Sequence, residues 1–191
     1  MAEIKVLRGK EEIERAASAA ASQILDWLTC REYGDDDKII FLGVMKGGLP
    51  WMFKVIDSLP YEYRPGNIEV AFVRLRSYEG TESTGNVTWD FVDMADISDW
   101  EGADVFVFED VVDSGMSYDI LQKVLGAAKL NSLRWVVMAV KDNNSPSRHC
   151  NRYVDFAGFR CAEDDFLVGF GLDYNEKYRT LNYIGRLCDT S

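Results

Sequence analysis

Residues 105–117 read VFVFEDVVDSGMS, and the order of residue types in this stretch decides the fold. Val105 to Phe108 is a short run of β-branched and aromatic residues, the composition of a strand buried on both faces. It leads directly into two carboxylates, Glu109 and Asp110, then two valines and a third carboxylate, Asp113. Ser114, Gly115, Met116 and Ser117 follow and open a helix expected to run to about Leu130.

The same alternation recurs on either side. Glu11 to Arg31 is helical in pattern, with Ile13, Ala16, Ala17, Ala20, Ile24 and Leu28 returning every three or four residues. Gly34 and the acidic run Asp35-Asp36-Asp37, a solvated turn, close it. Lys38 to Met45 reads as a buried strand leading into Lys46-Gly47-Gly48, and Pro50 then opens a helix to about Ser58. Ile68 to Arg74 and Trp135 to Val140 are further strands. Strands alternating with helices pair in parallel through right-handed crossovers, so the expected class is α/β: a central parallel sheet flanked by helices on both faces. Ligands of such sheets gather at the carboxyl ends of the strands. Beyond Asn143 the rhythm changes to short segments, Tyr153 to Phe159, Phe166 to Phe170 and Asn182 to Ile184, which read as a cap and not as another βαβ unit.

Composition narrows the function. A chain of 191 residues, 47% hydrophobic and 28% charged, suits one globular domain with an appended substructure. A formal net charge of -11 argues against nucleic acid or an anionic membrane as partner, since both are bound through clustered Lys and Arg. A small molecule fits better. Cys30, Cys150, Cys161 and Cys188 have no CxxC spacing and no signal peptide ahead of them, which reads as reduced thiols in a cytoplasmic protein. His149 beside Cys150 lacks the further nitrogen and sulfur ligands that zinc requires.

Acidity overall does not exclude phosphate. At a helix N-terminus the first N–H groups lie outside the helical ladder and the dipole is positive, so Ser114 to Ser117 form a phosphate cradle, with Gly115 permitting positive φ and close approach. Glu109 and Asp110 leave the same strand end and could accept hydrogen bonds from sugar hydroxyls. The competing reading makes Ser117 a helix cap and the acids a surface turn. Three carboxylates ending a buried strand weigh against it, because ionised acids beside a core need solvent, partners or a cation.

EDVVDSG, Glu109 to Gly115, resembles the phosphoribosyl-pyrophosphate signature of type I phosphoribosyltransferases, and its Glu-Asp-x-x-Asp form resembles the hypoxanthine-guanine branch. GVMKGG, Gly43 to Gly48, is similar to the pyrophosphate loop, with Met45 in place of a leucine. VRLRSYEGTESTG, Val73 to Gly85, resembles the mobile catalytic loop, and VGFGLDYNEKYRTLNYIG, Val168 to Gly185, the purine and metal segment. The likeness covers roughly residues 38–186 and is weak in the N-terminal helix and around 142–153.

The resemblance implies a type I phosphoribosyltransferase fold with a small hood formed by the chain termini. It divides one domain, 1–191, into a core of about 36–142 and a cap from 1–35 and 143–191. It implies transfer of a phosphoribosyl group from phosphoribosyl pyrophosphate to a 6-oxopurine, hypoxanthine or guanine, with Mg²⁺. Glu109 and Asp110 would hold ribose hydroxyls, and Asp113, Ser114, Gly115, Met116 and Ser117 the 5′-phosphate. Lys46, Gly47 and Arg179 would receive pyrophosphate, with Asp173, beside Glu109 and Asp110, as the metal carboxylate. Asp113 would be the general base, and Ser77 and Tyr78 would belong to the lid. Lys141, Phe166, Leu167 and Asp173 would form the purine site, Lys141 donating to O6. In the family the bond matching Met45–Lys46 is often cis. A homo-oligomer, dimer or tetramer, is also implied, with Trp51 and Trp89 as interface or core residues. A xanthine-preferring enzyme and a regulatory protein that binds phosphoribosyl pyrophosphate are the alternatives; retention of Asp113, Ser77 and Tyr78 and the acidic charge favour the enzyme.

Overall fold

The computed structural model describes residues 3–34, 37–61, 68–77, 87–92, 97–113, 115–142 and 154–188. In chain order the elements are β1 (Glu3–Arg8), α1 (Lys10–Thr29), β2 (Ile39–Met45), α2 (Gly48–Ser58), β3 (Ile68–Ser77), β4 (Val87–Val92), β5 (Asp104–Val112), α3 (Met116–Gly126), β6 (Ser132–Asp142), β7 (Phe156–Ala162), β8 (Leu167–Val168) and β9 (Ile184–Cys188).

A six-stranded sheet has the order β4-β3-β2-β5-β6-β7. Its neighbours run parallel except for the antiparallel pair of β3 and the edge strand β4. Alternation along the central strands divides the core. Ile39 and Phe41 of β2, Phe106 and Phe108 of β5, and Val136 and Met138 of β6 join α1 and α2 on one face. Ile40, Leu42, Val105, Val107, Trp135 and Val137 join Leu121 and Leu125 of α3 on the other. Both faces are therefore buried, which explains why these strands read as unbroken apolar runs.

The buried stripe of α1 is Ile13, Ala17, Ala20, Ala21, Ile24 and Leu28, and the side chain of Glu12 caps its start by accepting from the Gly9 N–H at 2.9 Å. Trp51 of α2 is wholly buried, its indole N–H donating to the carbonyl of Val136 at 3.1 Å, so it is a core residue and not an interface one. At the amino end of β5 the buried carboxylate of Asp104 accepts from Arg31 at 2.8 Å, Tyr33 at 3.1 Å, Asn131 at 2.7 Å and the Ser132 hydroxyl. This cluster fastens the chain after α1 to the end of the sheet opposite the acidic strand end.

A second sheet, β1-β9-β8, is antiparallel and joins the two ends of the described chain, with Glu3 opposite Cys188. It is the expected hood, but its composition differs from expectation in two ways. Helix α1 packs on the main sheet with α2 and β7, so among the described residues up to 34 only β1 enters the hood. Strand β7 pairs in parallel with β6 and extends the main sheet, where a cap segment was expected. Gly158 marks the reason: a side chain there would meet the Met138 carbonyl and the Trp51 ring, so β7 lies tight against the sheet and α2. Helix α3 ends at Gly126, short of Leu130, and Lys129 turns the chain with a φ of 49°.

Candidate active site

Strands β2, β5 and β6 run in register, so their carboxyl ends lie side by side. After β2 the Met45–Lys46 peptide is cis, as the family likeness suggests, and Gly47 precedes α2. This turn lies directly against β5: a Cβ on Gly47 would collide with the Asp110 carboxylate, and one on Gly48 with the Phe108 carbonyl. Glycine is required at both places by close approach.

At the end of β5 Glu109 is 4% exposed. Its Oε1 accepts a short hydrogen bond from the Ser117 hydroxyl, while its Oε2 is buried with no hydrogen-bond partner among the described residues. Burial first, and then the Asp110 charge, push Glu109 up to about 8, against the Ser117 bond, which favours the ionised form. Asp110 is also pushed up by burial; its bond from the Val111 N–H and the Arg179 charge oppose this, and the Asp173 charge adds to it. Two neighbouring carboxyls thus stand at a strand end with too little compensation for both to ionise comfortably. Gly115, with a φ of 80°, caps α3 and brings Ser117 round to Glu109.

Asp113 is exposed beyond β5, and its Oδ2 lies 3.1 Å from Nζ of Lys141, which closes β6 and is largely shielded. These two predicted residues come together although 28 positions separate them.

The hairpin from β8 to β9 supplies the other wall. Phe166 is 50% exposed and meets Tyr174 edge to face. Leu167, buried in β8, pairs across to Arg186. Arg179 is held from three sides: Nη1 donates to the Gly171 carbonyl at 2.8 Å, and Nη2 lies 2.6 Å from Asp173 and 3.4 Å from Glu176. Glu176 also receives Lys46, whose Nζ is 3.3 Å from both of its oxygens; that bond is the foremost cause holding Glu176 below the usual carboxylate range. Gly171 sits so close to the Gly47 carbonyl and Pro50 that a Cβ would not fit, which joins this hairpin to the turn after β2.

Sequence reasoning named both ends of this array but not Glu176 or Tyr174. The signal available was an acid three residues before Arg179, in the segment Asp173-Tyr174-Asn175-Glu176. Ser77 ends β3. Tyr78 and the rest of the expected lid to Gly85, Ser114 of the phosphate cradle, His149, Cys150, and all of the divergent stretch 142–153 except Asp142 lie outside the described residues.

The family model described as a phosphoribosyl transferase domain matches residues 8–175, and this chain belongs to that family. Its fold is the type I phosphoribosyltransferase fold, and the family makes it a transferase. Hypoxanthine-guanine phosphoribosyltransferase of Bacillus subtilis is 33% identical over 184 residues, 96% of this chain and 92% of that one. The solved hypoxanthine phosphoribosyltransferase of Trypanosoma cruzi superposes with a TM-score of 0.81 at 25% identity, covering 98% of this chain and 92% of that one. The corresponding Staphylococcus aureus structure gives 0.75 at 28% identity, covering 96% and 91%. Among the described residues no helix is long and apolar enough to cross a membrane.

Proposed function

We propose that the chain salvages purines by moving the 5-phosphoribosyl group of phosphoribosyl pyrophosphate to N9 of a 6-oxopurine, hypoxanthine or guanine, giving the nucleotide and pyrophosphate. The observation that carries this reading is the 3.1 Å contact between Lys141 Nζ and Asp113 Oδ2. O6 and N7 are neighbours on one edge of a 6-oxopurine. A cationic donor beside a carboxylate acceptor is the complement of that edge, and the names of the relatives support the same substrate class.

In this reading the base enters against Phe166, with its remaining polar edge on the Leu167 backbone and near Asp173. Lys141 donates to O6 and Asp113 accepts the proton of N7 as N9 bonds to ribose C1 and the C1–oxygen bond to pyrophosphate breaks. A positioned base of this kind contributes ~10²–10⁴-fold. Glu109 and Asp110 accept the ribose hydroxyls; a partner for the buried Glu109 Oε2 would relieve its desolvation. Asp113 to Ser117 cradle the 5′-phosphate at the start of α3. Lys46, the Gly47 backbone and Arg179 receive the pyrophosphate, for which the guanidinium offers a planar set of donors. The lid role of Ser77 and Tyr78, which would exclude water, rests on the sequence resemblance.

The oxygen donors at this end of the sheet suit Mg²⁺: Glu109, whose buried Oε2 has no hydrogen-bond partner among the described residues, Asp110 and Asp173 are all hard carboxylates. Among the described residues no three acidic, Cys or His side chains form a ready-made metal cage, which fits a cation held largely by substrate phosphates. When bound, Mg²⁺ would neutralise charge growing on the leaving group.

The same reading takes the chain as one domain, cytoplasmic, and assembled as a dimer or tetramer. Exposed Phe53 and Val70 beside Phe72 form an apolar face on α2 and β3 that supports assembly, and sedimentation would give its order.

The test is pyrophosphate-dependent nucleotide formation with hypoxanthine, guanine, xanthine and adenine, each with phosphoribosyl pyrophosphate and Mg²⁺. Reaction with the 6-oxopurines and not with adenine is expected, together with loss of most activity in Asp113→Asn. Binding of phosphoribosyl pyrophosphate without reaction of any base would replace the enzyme with the regulatory reading.

A further inference from the structure

Lys46, in the turn after β2, and Arg179, in the hairpin from β8 to β9, both close on one carboxylate. Lys46 Nζ lies 3.3 Å from each oxygen of Glu176, and Arg179 Nη2 lies 3.4 Å from Oε2. The carboxylate is held out to them by a tight turn. Tyr174 and Lys177 exchange backbone hydrogen bonds of 3.2 and 3.1 Å, and the Glu176 N–H donates to Asp173 at 2.9 Å. Asn175, Glu176 and Tyr178 have φ values of 52°, 59° and 74°, a left-handed region that side chains other than glycine seldom adopt.

The pairing is poor as a stabilising device. Glu176 is 69% exposed and Lys46 55%, and exposed ion pairs contribute little to folding. It is well made for exchange. Arg179 keeps its bonds to the Gly171 carbonyl and Asp173 when Glu176 withdraws, so the guanidinium stays in place. Pyrophosphate carries several negative charges and outcompetes a single carboxylate for two cations.

We infer that Glu176 is a displaceable counter-ion for the leaving group: it holds Lys46 and Arg179 poised in the free enzyme, yields them to pyrophosphate, and reclaims them as pyrophosphate departs. The inference rests on the proposed roles of Lys46 and Arg179 and adds an acidic positioning residue to them. Its function is to keep the product from binding too well. An anion site built only of cations would retain its multiply charged product, whereas an internal competitor with the same partners shortens the stay.

The experiment measures binding of inorganic pyrophosphate with Mg²⁺ to the full enzyme by calorimetry, and its inhibition constant against phosphoribosyl pyrophosphate, in the wild type and variants. Glu176→Gln removes the competing charge and is expected to bind pyrophosphate about three- to tenfold more tightly, with KM for the purine unchanged. Glu176→Asp keeps the charge and should lie near the wild type. A merely structural role would move binding the other way, since loosened cations bind less well. Unchanged or weaker pyrophosphate binding in Glu176→Gln overturns the inference. Lys46→Gln and Arg179→Gln separate this from the underlying assignment: if neither weakens pyrophosphate binding, the leaving-group site lies elsewhere, and if both do while Glu176→Gln fails to tighten it, the counter-ion role alone fails.

Discussion

Tyr174 meets Phe166 edge to face, with ring centroids 5.5 Å apart and planes at 85°. Both rings are substantially exposed, at 43% and 50%, so the pair is a wall and not part of the core. A ring edge against a ring face fixes the orientation of Phe166, and such pairs contribute about 0.5–1.5 kcal/mol beyond burial. Tyr174→Ala should therefore raise KM for the purine about three- to tenfold with little change in kcat, while Tyr174→Phe keeps the ring and stays near the wild type. Steady-state kinetics at saturating phosphoribosyl pyrophosphate distinguishes this from a phenolic hydroxyl role, in which both variants would suffer alike.

The Lys141 and Asp113 pair predicts a split between two variants. Asp113→Asn should lower kcat by ~10²–10⁴-fold, the contribution of one positioned base. Lys141→Met should act on base choice, weakening the binding of hypoxanthine far more than that of adenine, read for adenine as competitive inhibition, because only the former offers O6 to the ammonium. Equal losses for both bases would show that Lys141 serves Asp113 alone.

Glu109 links stability to pH. An unfolded glutamate titrates near 4.5, whereas buried Glu109 holds its proton to about 8. Between these values the folded protein retains a proton that the unfolded chain has released, so acid favours folding. The contribution of this group is complete below about pH 4.5 and is lost as pH rises through about 8, a difference on the order of a few kcal/mol. Urea unfolding of the ligand-free enzyme at about pH 5, 7 and 9 should show the wild type losing stability relative to Glu109→Gln across that range. Parallel curves would mean that the ionised carboxylate is already satisfied.

At the far end of the sheet, Asp104→Ala would leave Arg31, Tyr33, Asn131 and Ser132 without their common acceptor. Removing one partner from a buried charged cluster costs about 3–5 kcal/mol, so the midpoint of thermal unfolding should fall markedly. KM values measured well below that midpoint should not move, because the cluster lies at the opposite end of β5 from Glu109.

The legible part of this fold was the part buried on both sides. Ile39 to Met45 and Val105 to Phe108 must be apolar at every position, and that continuity is visible without a structure. Strand β1, with Glu3, Lys5 and Arg8, has no such run and exists because β9 pairs with it. Strand β7 reads from sequence as a cap segment because Gly158, Arg160 and Cys161 interrupt its pattern; close approach to Met138 and Trp51 dictates the glycine, a constraint that no local period expresses. The site divides in the same way. Glu109, Asp110 and Asp113 announce themselves by crowding acids onto one strand end, whereas Glu176 and Tyr174 acquire partners only through a turn of left-handed residues, a geometry that Asn175 hints at and Glu176 and Tyr178 conceal.

The pairing of Glu3 with Cys188 carries a consequence for how the molecule is made. Contacts between residues so distant along the chain are the slowest to form, since the entropy of closing the intervening loop must be overcome first. Emerging from the ribosome, the chain can lay down β2, β5 and β6 with their helices long before β9 arrives to meet β1. On the proposed roles, the nascent chain would then carry the strand end that cradles phosphate before it carries the wall that receives the base, so the completed site waits on the last strand.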